Sequence, residues 1–224
     1  VYKRQQHTNQ IMKYITKINQ KGFTIIEILT VLFLILTIFS ITVQILKPIE
    51  YFKKSRDIKR IGDLATLNNA LKTYLLVTTT PNLGPDNKAV DEINPTIFIS
   101  IPIDKENITN QTLNWKNKTY YFHQVSSTDY FKNDGTGWLP VNIKSLIYPV
   151  LDYYPYDPIN SYTQKLFYSY VFNRASSTFE INTRLEYSNY NLGGNEDYVS
   201  NDNGDNNNIL EVGNDKTLMP NNLY

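Results

Sequence analysis

The sequence has no cysteine, only two histidines and two methionines, and nine glycines in 224 residues. Without cysteine there is no disulfide, thiolate chemistry, iron–sulfur cluster, lipoprotein-type anchor or Cys-containing zinc site. His7 and His123 are too few for a zinc centre that needs two or three imidazoles in one folded body. An excess of one charge is missing as well: 22 Lys+Arg face 21 Asp+Glu, a net of +1. That argues against a general nucleic-acid binder, whose electrostatics need a clear basic surplus. Nucleotide signatures are absent: Gly135-Thr136-Gly137 runs into Trp-Leu-Pro and reads as a turn. The G-x-S-x-G and H-E-x-x-H patterns are missing too. His123 is the one imidazole available to a catalytic triad in the body, and it falls inside a strand pattern, so it reads as structural. No catalytic residue is assigned, and the chain is not expected to be an enzyme.

The near-zero net charge conceals a polarity along the chain. Residues 1–22 carry Lys3, Arg4, Lys13, Lys17 and Lys21 and no acid. Residues 23–46 carry one charge, Glu27. Residues 47–60 hold six bases (Lys47, Lys53, Lys54, Arg56, Lys59, Arg60) against Glu50 and Asp57. The remaining 164 residues hold eleven bases and eighteen acids, a net of −7. A basic head, an apolar bar, a basic collar and an acidic body follow one another.

The apolar bar, F-T-I-I-E-I-L-T-V-L-F-L-I-L-T-I-F-S-I-T-V-Q-I-L at 23–46, would span about 36 Å as a helix. A bilayer core is ~30 Å thick, so the segment is long enough to cross it. Five bases before the bar and no acid predict an amino end kept in the cytoplasm, with the body on the other side. A cleaved secretory signal would be shorter and would end at a small-residue site; here Q-I-L-K-P-I-E follows. Glu27 needs its own account, because a carboxylate deep in a membrane helix costs ~2.5–3.5 kcal/mol and is a functional hypothesis by default. The alternative is a Glu near enough to the helix start to reach the headgroups.

The stretch K-G-F-T-I-I-E-I-L-T-V-L at 21–32 resembles the amino-terminal segment of the type IV pilins and type II secretion pseudopilins, a likeness that covers residues 21 to about 75. The resemblance implies a prepilin leader (1–22), cut by a prepilin peptidase between Gly22 and Phe23, with N-methylation of Phe23. The leader is longer than many and begins at Val1; Met12 is an alternative start. The resemblance also implies that Glu27 acts in assembly, by pairing with the new α-amino group of its own or a neighbouring subunit. That amine is largely cationic at neutral pH. Implied partners are the peptidase, identical or related pilin subunits, an inner-membrane assembly platform and membrane lipids, with no nucleic acid. The implied location is the cytoplasmic (inner) membrane, crossed once, with an extracytoplasmic head that reaches a filament or the cell surface.

The implied fold is α+β and pilin-like: one long helix, transmembrane over 23–46 and amphipathic over 47–77, packed on a small antiparallel sheet in a head of residues 78–224. The residues support parts of this directly. Pro48 predicts a kink or short break. Beyond it Ile61, Leu64, Leu67, Leu71 and Leu75 recur at helical spacing, and T-T-T-P-N-L-G-P near Val77 ends the helix. The collar bases read as a solvated, lipid-contacting helix start. Thr119–Val125 is β-favouring, 166–172 pairs with 179–187 as an antiparallel hairpin, and Val141–Ile147 is expected to form a short helix before a loop at 155–160. Three N-x-S/T triplets, at Asn107, Asn110 and Asn117, carry no signal in so Asn-rich a chain.

Tyr198–Val212 is dense in oxygen donors around Gly204. The EF-hand pattern fails there, since Val199 stands five positions before Gly204. Similarity to secretion pseudopilins implies calcium as a possible ligand of Asp202, Asp205 and Asp197; the other reading is a plain polar loop. Two functions remain open. One is a structural filament subunit. The other is a membrane-tethered binding protein, an adhesin or glycan binder, that uses Trp115, Trp138 and the many tyrosines.

Overall fold

The computed structural model describes residues 22–146 and 151–224. The expected leader upstream of Gly22, with both alternative starts, and Ile147 lie outside the described residues. The chain divides at Pro48–Ile49 into two compact units.

The first unit contributes α1 (Ile25–Leu46). Thr24 caps it in extended backbone conformation, and Glu27 completes a capping box. Three of the polar residues inside the helix are satisfied within it: the hydroxyls of Thr30, Thr37 and Thr42 donate to the carbonyls of Glu27, Phe33 and Ile38. Every side chain from Ile25 to Ile45 is exposed. The helix stops at Lys47, whose φ of 42° is left-handed, and Pro48 opens the next helix, where its missing N–H costs nothing. The predicted break is therefore present, one residue before the proline.

The second unit holds α2 (Pro48–Val77) and six strands: β1 (Thr96–Ile99), β2 (Thr112–Trp115), β3 (Lys118–His123), β4 (Ser169–Asn173), β5 (Thr178–Thr183) and β6 (Leu210–Gly213). Their order is β2-β3-β1-β4-β5-β6. The class is α+β, but the sheet is mixed rather than antiparallel, because β1 pairs with β3 in parallel. Lys116 and Asn117 both have positive φ and close a two-residue hairpin that sets β2 antiparallel to β3. The β4–β5 hairpin sits in the expected register, Phe172 opposite Phe179. Its second strand is shorter than expected, since the backbone N–H groups of Glu186 and Tyr187 turn away to Asp57. The expected helix at Val141–Ile147 is not formed over its described part: the Val141 carbonyl accepts from the Tyr154 hydroxyl, and Asn142 bridges to Asp134.

Both faces of the sheet are covered. On one, Phe98, Tyr170, Phe172, Phe179 and Ile181 pack with Leu64, Leu67 and Leu71 of α2, from the stripe read in the sequence, and with Tyr74; Ile61 and Leu75 of that stripe are only partly buried. On the other, Ile97, Ile99, Phe122, Phe167 and Val171 pack with Leu218, Met219 and Leu223 of the last segment. Central strands with apolar residues on both faces do not alternate, which is why T-I-F-I at β1 gave no strand signal.

Candidate functional site

At the start of α1, Glu27 is held by local contacts. Its Oε2 accepts from the Thr24 backbone N–H and hydroxyl, both at 2.8 Å, while the Glu27 N–H donates to the Thr24 hydroxyl at 3.2 Å. Glu27 thus sits at the third position of the helix, where a carboxylate satisfies amide groups that have no intrahelical partner. Gly22 and Phe23 precede the helix, outside regular structure, and Phe23 is 84% exposed. The four residues Gly22, Phe23, Thr24 and Glu27 therefore lie together at an accessible chain segment that leads into an apolar rod.

At the collar, the helix start is not simply solvated. Arg60 is fully buried and pairs with three carboxylates: Asp57 at 2.7 Å, Asp157 at 2.6 Å and Glu186 at 2.7 Å. Arg56 adds a two-point pair with Glu186, at 2.6 and 2.8 Å. Burial opposes the charge of Glu186, but hydrogen bonds from Arg56 and Arg60 outweigh it and hold its carboxyl below the usual range. For Asp57 burial wins, and its carboxyl is pushed up despite bonds from Tyr187, Arg60 and Glu186. Asp157, in the Asp-Pro loop before β4, also accepts from the backbone of Ile159 and Asn160. Two of the collar bases are thus rivets between α2 and the loops of the head. Helical periodicity could have hinted at this, because Asp57, Arg60, Leu64, Leu67 and Leu71 share one face.

The loop around Gly204 brings carboxylates together differently. Asp202 accepts from the N–H groups of Gly204 (2.7 Å) and Glu211 (2.6 Å), and the Lys216 amine donates to its carbonyl. Asp197 accepts from Gly193 and from both the backbone and the hydroxyl of Ser200. Asp205 is exposed. Among the described residues no group of three or more His, Asp or Glu side chains is arranged to hold a metal ion.

Behind that loop lies an arrangement that sequence reading missed. Glu180 and Glu211 are fully buried on the sheet face under the last segment. Glu180 is well supplied with donors: the Asn182 amide and the backbone N–H groups of Leu218 and Met219, at 2.7–2.8 Å. Among the described residues, Glu211 accepts from Asn206 N–H alone. Burial pushes the Glu211 carboxyl up to about 9, with the charge of Glu180 and a hydrogen bond between the two adding to the effect. Burial pushes the Glu180 carboxyl up as well, against the pull of its donors, so the buried pair favours protonation over two adjacent charges. Asn182, cross-strand from Glu211, keeps its Oδ1 buried without a partner.

No family model, curated protein or solved structure matches this chain.

Of the aromatics considered for ligand binding, Trp138 is fully buried and donates to the Pro155 carbonyl. Trp115 is half-buried against Tyr120, with the Lys116 amine over its ring. His123 packs on Phe98 at 5.1 Å; burial, with the nearby Lys88 charge, lowers its pKa.

Proposed function

We propose that the chain is a structural subunit of a type IV pilus or type II secretion-like filament, with no catalytic role. In this reading it is anchored by α1, cut between Gly22 and Phe23, and assembled through that helix. The observation that carries it is the combination at the amino end. A 22-residue apolar helix has all its described side chains exposed and its three threonine hydroxyls bonded to its own carbonyls. It is long and apolar enough to cross a membrane, and its single charge stands two residues beyond the first. Such a rod must be covered by lipid or by other helices.

Cutting before Phe23 would place a cationic amine one residue from the Thr24 N–H that Glu27 already accepts. The carboxylate would then have its own amine and that of a neighbour as competing partners. A charge costly in lipid becomes a registry element in a bundle. Leader length, the peptidase, the assembly platform and placement in the inner membrane belong to the same proposal. Of the aromatics considered for the tethered-binder reading, Trp138 faces the core.

The test is N-terminal sequencing of membrane-extracted protein combined with a competition assay. The mature chain should begin at Phe23, and Glu27→Gln should insert normally but fall behind wild type in filament incorporation. An intact amino end, or equal incorporation of the Gln variant, would refute the reading.

A further inference from the structure

Counted along the sequence, the three N-x-Thr triplets carry no signal, but on the fold they fall in one place. All lie within residues 107–119, in the loop that leads into β2 and in the turn that joins β2 to β3. Asn107, Asn110 and Asn117 are all exposed. Among the described residues β2 ends the sheet, with β3 on one side and no strand on the other. Thr112 and Asn114 of this edge strand are exposed, and the Asn222 amide reaches the Asn114 carbonyl only at 3.5 Å. An unpaired sheet edge is a template for pairing with another chain unless something covers it.

The fold separates three acceptors that the sequence treats alike. Asn107 forms an Asx turn with the threonine of its own triplet: its Oδ1 accepts from the Thr109 N–H at 3.1 Å and from the Thr109 hydroxyl at 2.8 Å. The side chain is thereby ordered through its oxygen, and among the described residues its amide nitrogen donates to no protein group. Two donors on the oxygen polarise the amide and make its N–H easier to remove. Asn117 differs. It sits in the left-handed second position of the two-residue turn, with a φ of 61°, and the Thr119 hydroxyl donates across the strands to Asn114 Oδ1 at 2.8 Å. Asn110 lies in the turn closed by the Gln111 N–H on the Ile108 carbonyl. Among the described residues neither Asn110 nor Asn117 bonds to the threonine of its own triplet.

We propose that Asn107 is a modification site that carries an Asn-linked oligosaccharide beside the edge strand β2. The donor is a lipid-diphosphate-linked oligosaccharide, and the catalyst is a membrane oligosaccharyltransferase. Asn107 Nδ2 attacks the anomeric carbon and forms the C–N bond. The bond from that carbon to the diphosphate oxygen breaks, and the lipid diphosphate leaves with the electron pair. The amide proton passes to a base of the transferase. A bulky, hydrated saccharide at this point covers the open edge of the sheet and hinders its pairing with a foreign strand. The site rests on the reading that the head lies outside the cytoplasm, where an exposed triplet of this kind meets such an enzyme.

The full chain is purified from the membranes of the cells that make it, and its peptides are mapped by mass spectrometry. The peptide that follows Lys105 should carry added saccharide mass, assigned to Asn107 by fragmentation. Asn107→Gln should lose the whole increment, as should Thr109→Val. Thr109→Ser keeps the hydroxyl and the triplet, so it should retain the increment. Saccharide that survives Asn107→Gln and disappears in Thr109→Val is linked to the threonine oxygen and overturns the proposal. Occupancy of Asn110 or Asn117 with Asn107 bare overturns it as well. Protease added to cells stripped of their wall separates the two levels. A bare Asn107 in a head that the protease digests overturns the site alone; a bare Asn107 in a protected head overturns the extracytoplasmic reading with it.

Discussion

The Arg60 cluster and the Glu180–Glu211 pair both take carboxylates out of water, one neutralising them with guanidinium groups and the other with a proton. In the first, Asp57, Asp157 and Glu186 surround a buried arginine that links α2 to two loops distant in sequence. In the second, among the described residues no cation is bonded to either glutamate, and burial pushes both carboxyls up. A buried charge needs compensation, and the kind of compensation decides which condition releases it.

Replacing Arg60 should give the largest effect. Arg60→Met keeps apolar length but leaves Asp57 and Asp157 buried without their cation. Breaking a buried pair from one side costs ~3–5 kcal/mol, a large share of a domain's stability. Denaturant unfolding of the full chain in detergent should show that loss, and Asp157→Asn in the same background should restore part of it. A loss below about 1 kcal/mol, the range of an exposed pair, would mean that the cluster is solvated and the contrast with the glutamate pair is false.

The glutamate pair should make stability depend on pH. Glu211 has its folded pKa raised to about 9 from 4.5, so the folded state holds a proton that the unfolded chain releases. Its contribution is complete below the unfolded value and is lost as pH rises toward about 9. Stability should therefore fall with rising pH across that window, at up to ~1.4 kcal/mol per unit for one proton. Glu211→Gln keeps a donor toward Glu180 and cannot ionise, so its profile should be flatter. A slope unchanged in the Gln variant would show that another group carries the proton.

The same contrast shows what was legible in the sequence. The apolar bar, the break near Pro48, the buried stripe of α2 and the register of the β4–β5 hairpin rest on local periodicity, and all are present. The short helix at Val141 failed because a distant hydroxyl, that of Tyr154, takes a carbonyl the helix would need. β1 and the mixed pairing were hidden because the partners of a fully buried strand lie far along the chain. Arg60 stood in plain view as one of six collar bases, but its partners Asp157 and Glu186 are about a hundred residues away or more. Glu180 and Glu211 stand on different strands and meet only when β5 and β6 pair. The roles proposed for Gly22, Phe23 and Glu27 could be suggested from the sequence because the three residues lie within five positions of one another.

The smallest effect expected concerns Gly204, which has no side chain and so leaves room for the glutamate pair. A Cβ there would collide with the Glu211 carboxyl and approach the Asp202 Oδ1 at 3.0 Å. Gly204→Ala must therefore shift Glu211 or the loop, at a cost typical of overpacking, ~1–3 kcal/mol. If the carboxyl moves, it loses Asn206 N–H or its contact with Glu180, and the pH slope between 4.5 and 9 should change along with the stability. If only the loop moves, stability falls at every pH by the same amount. The double variant Gly204→Ala with Glu211→Gln decides between them through its departure from additivity, since contacting residues couple by ~0.5–3 kcal/mol. Additive costs would show that the loop yields alone and that the pair is held entirely by the sheet and the last segment. Non-additive costs would show that Gly204 is part of what keeps the shared proton in place, a constraint for which the arginine cluster, built of long side chains, has no counterpart.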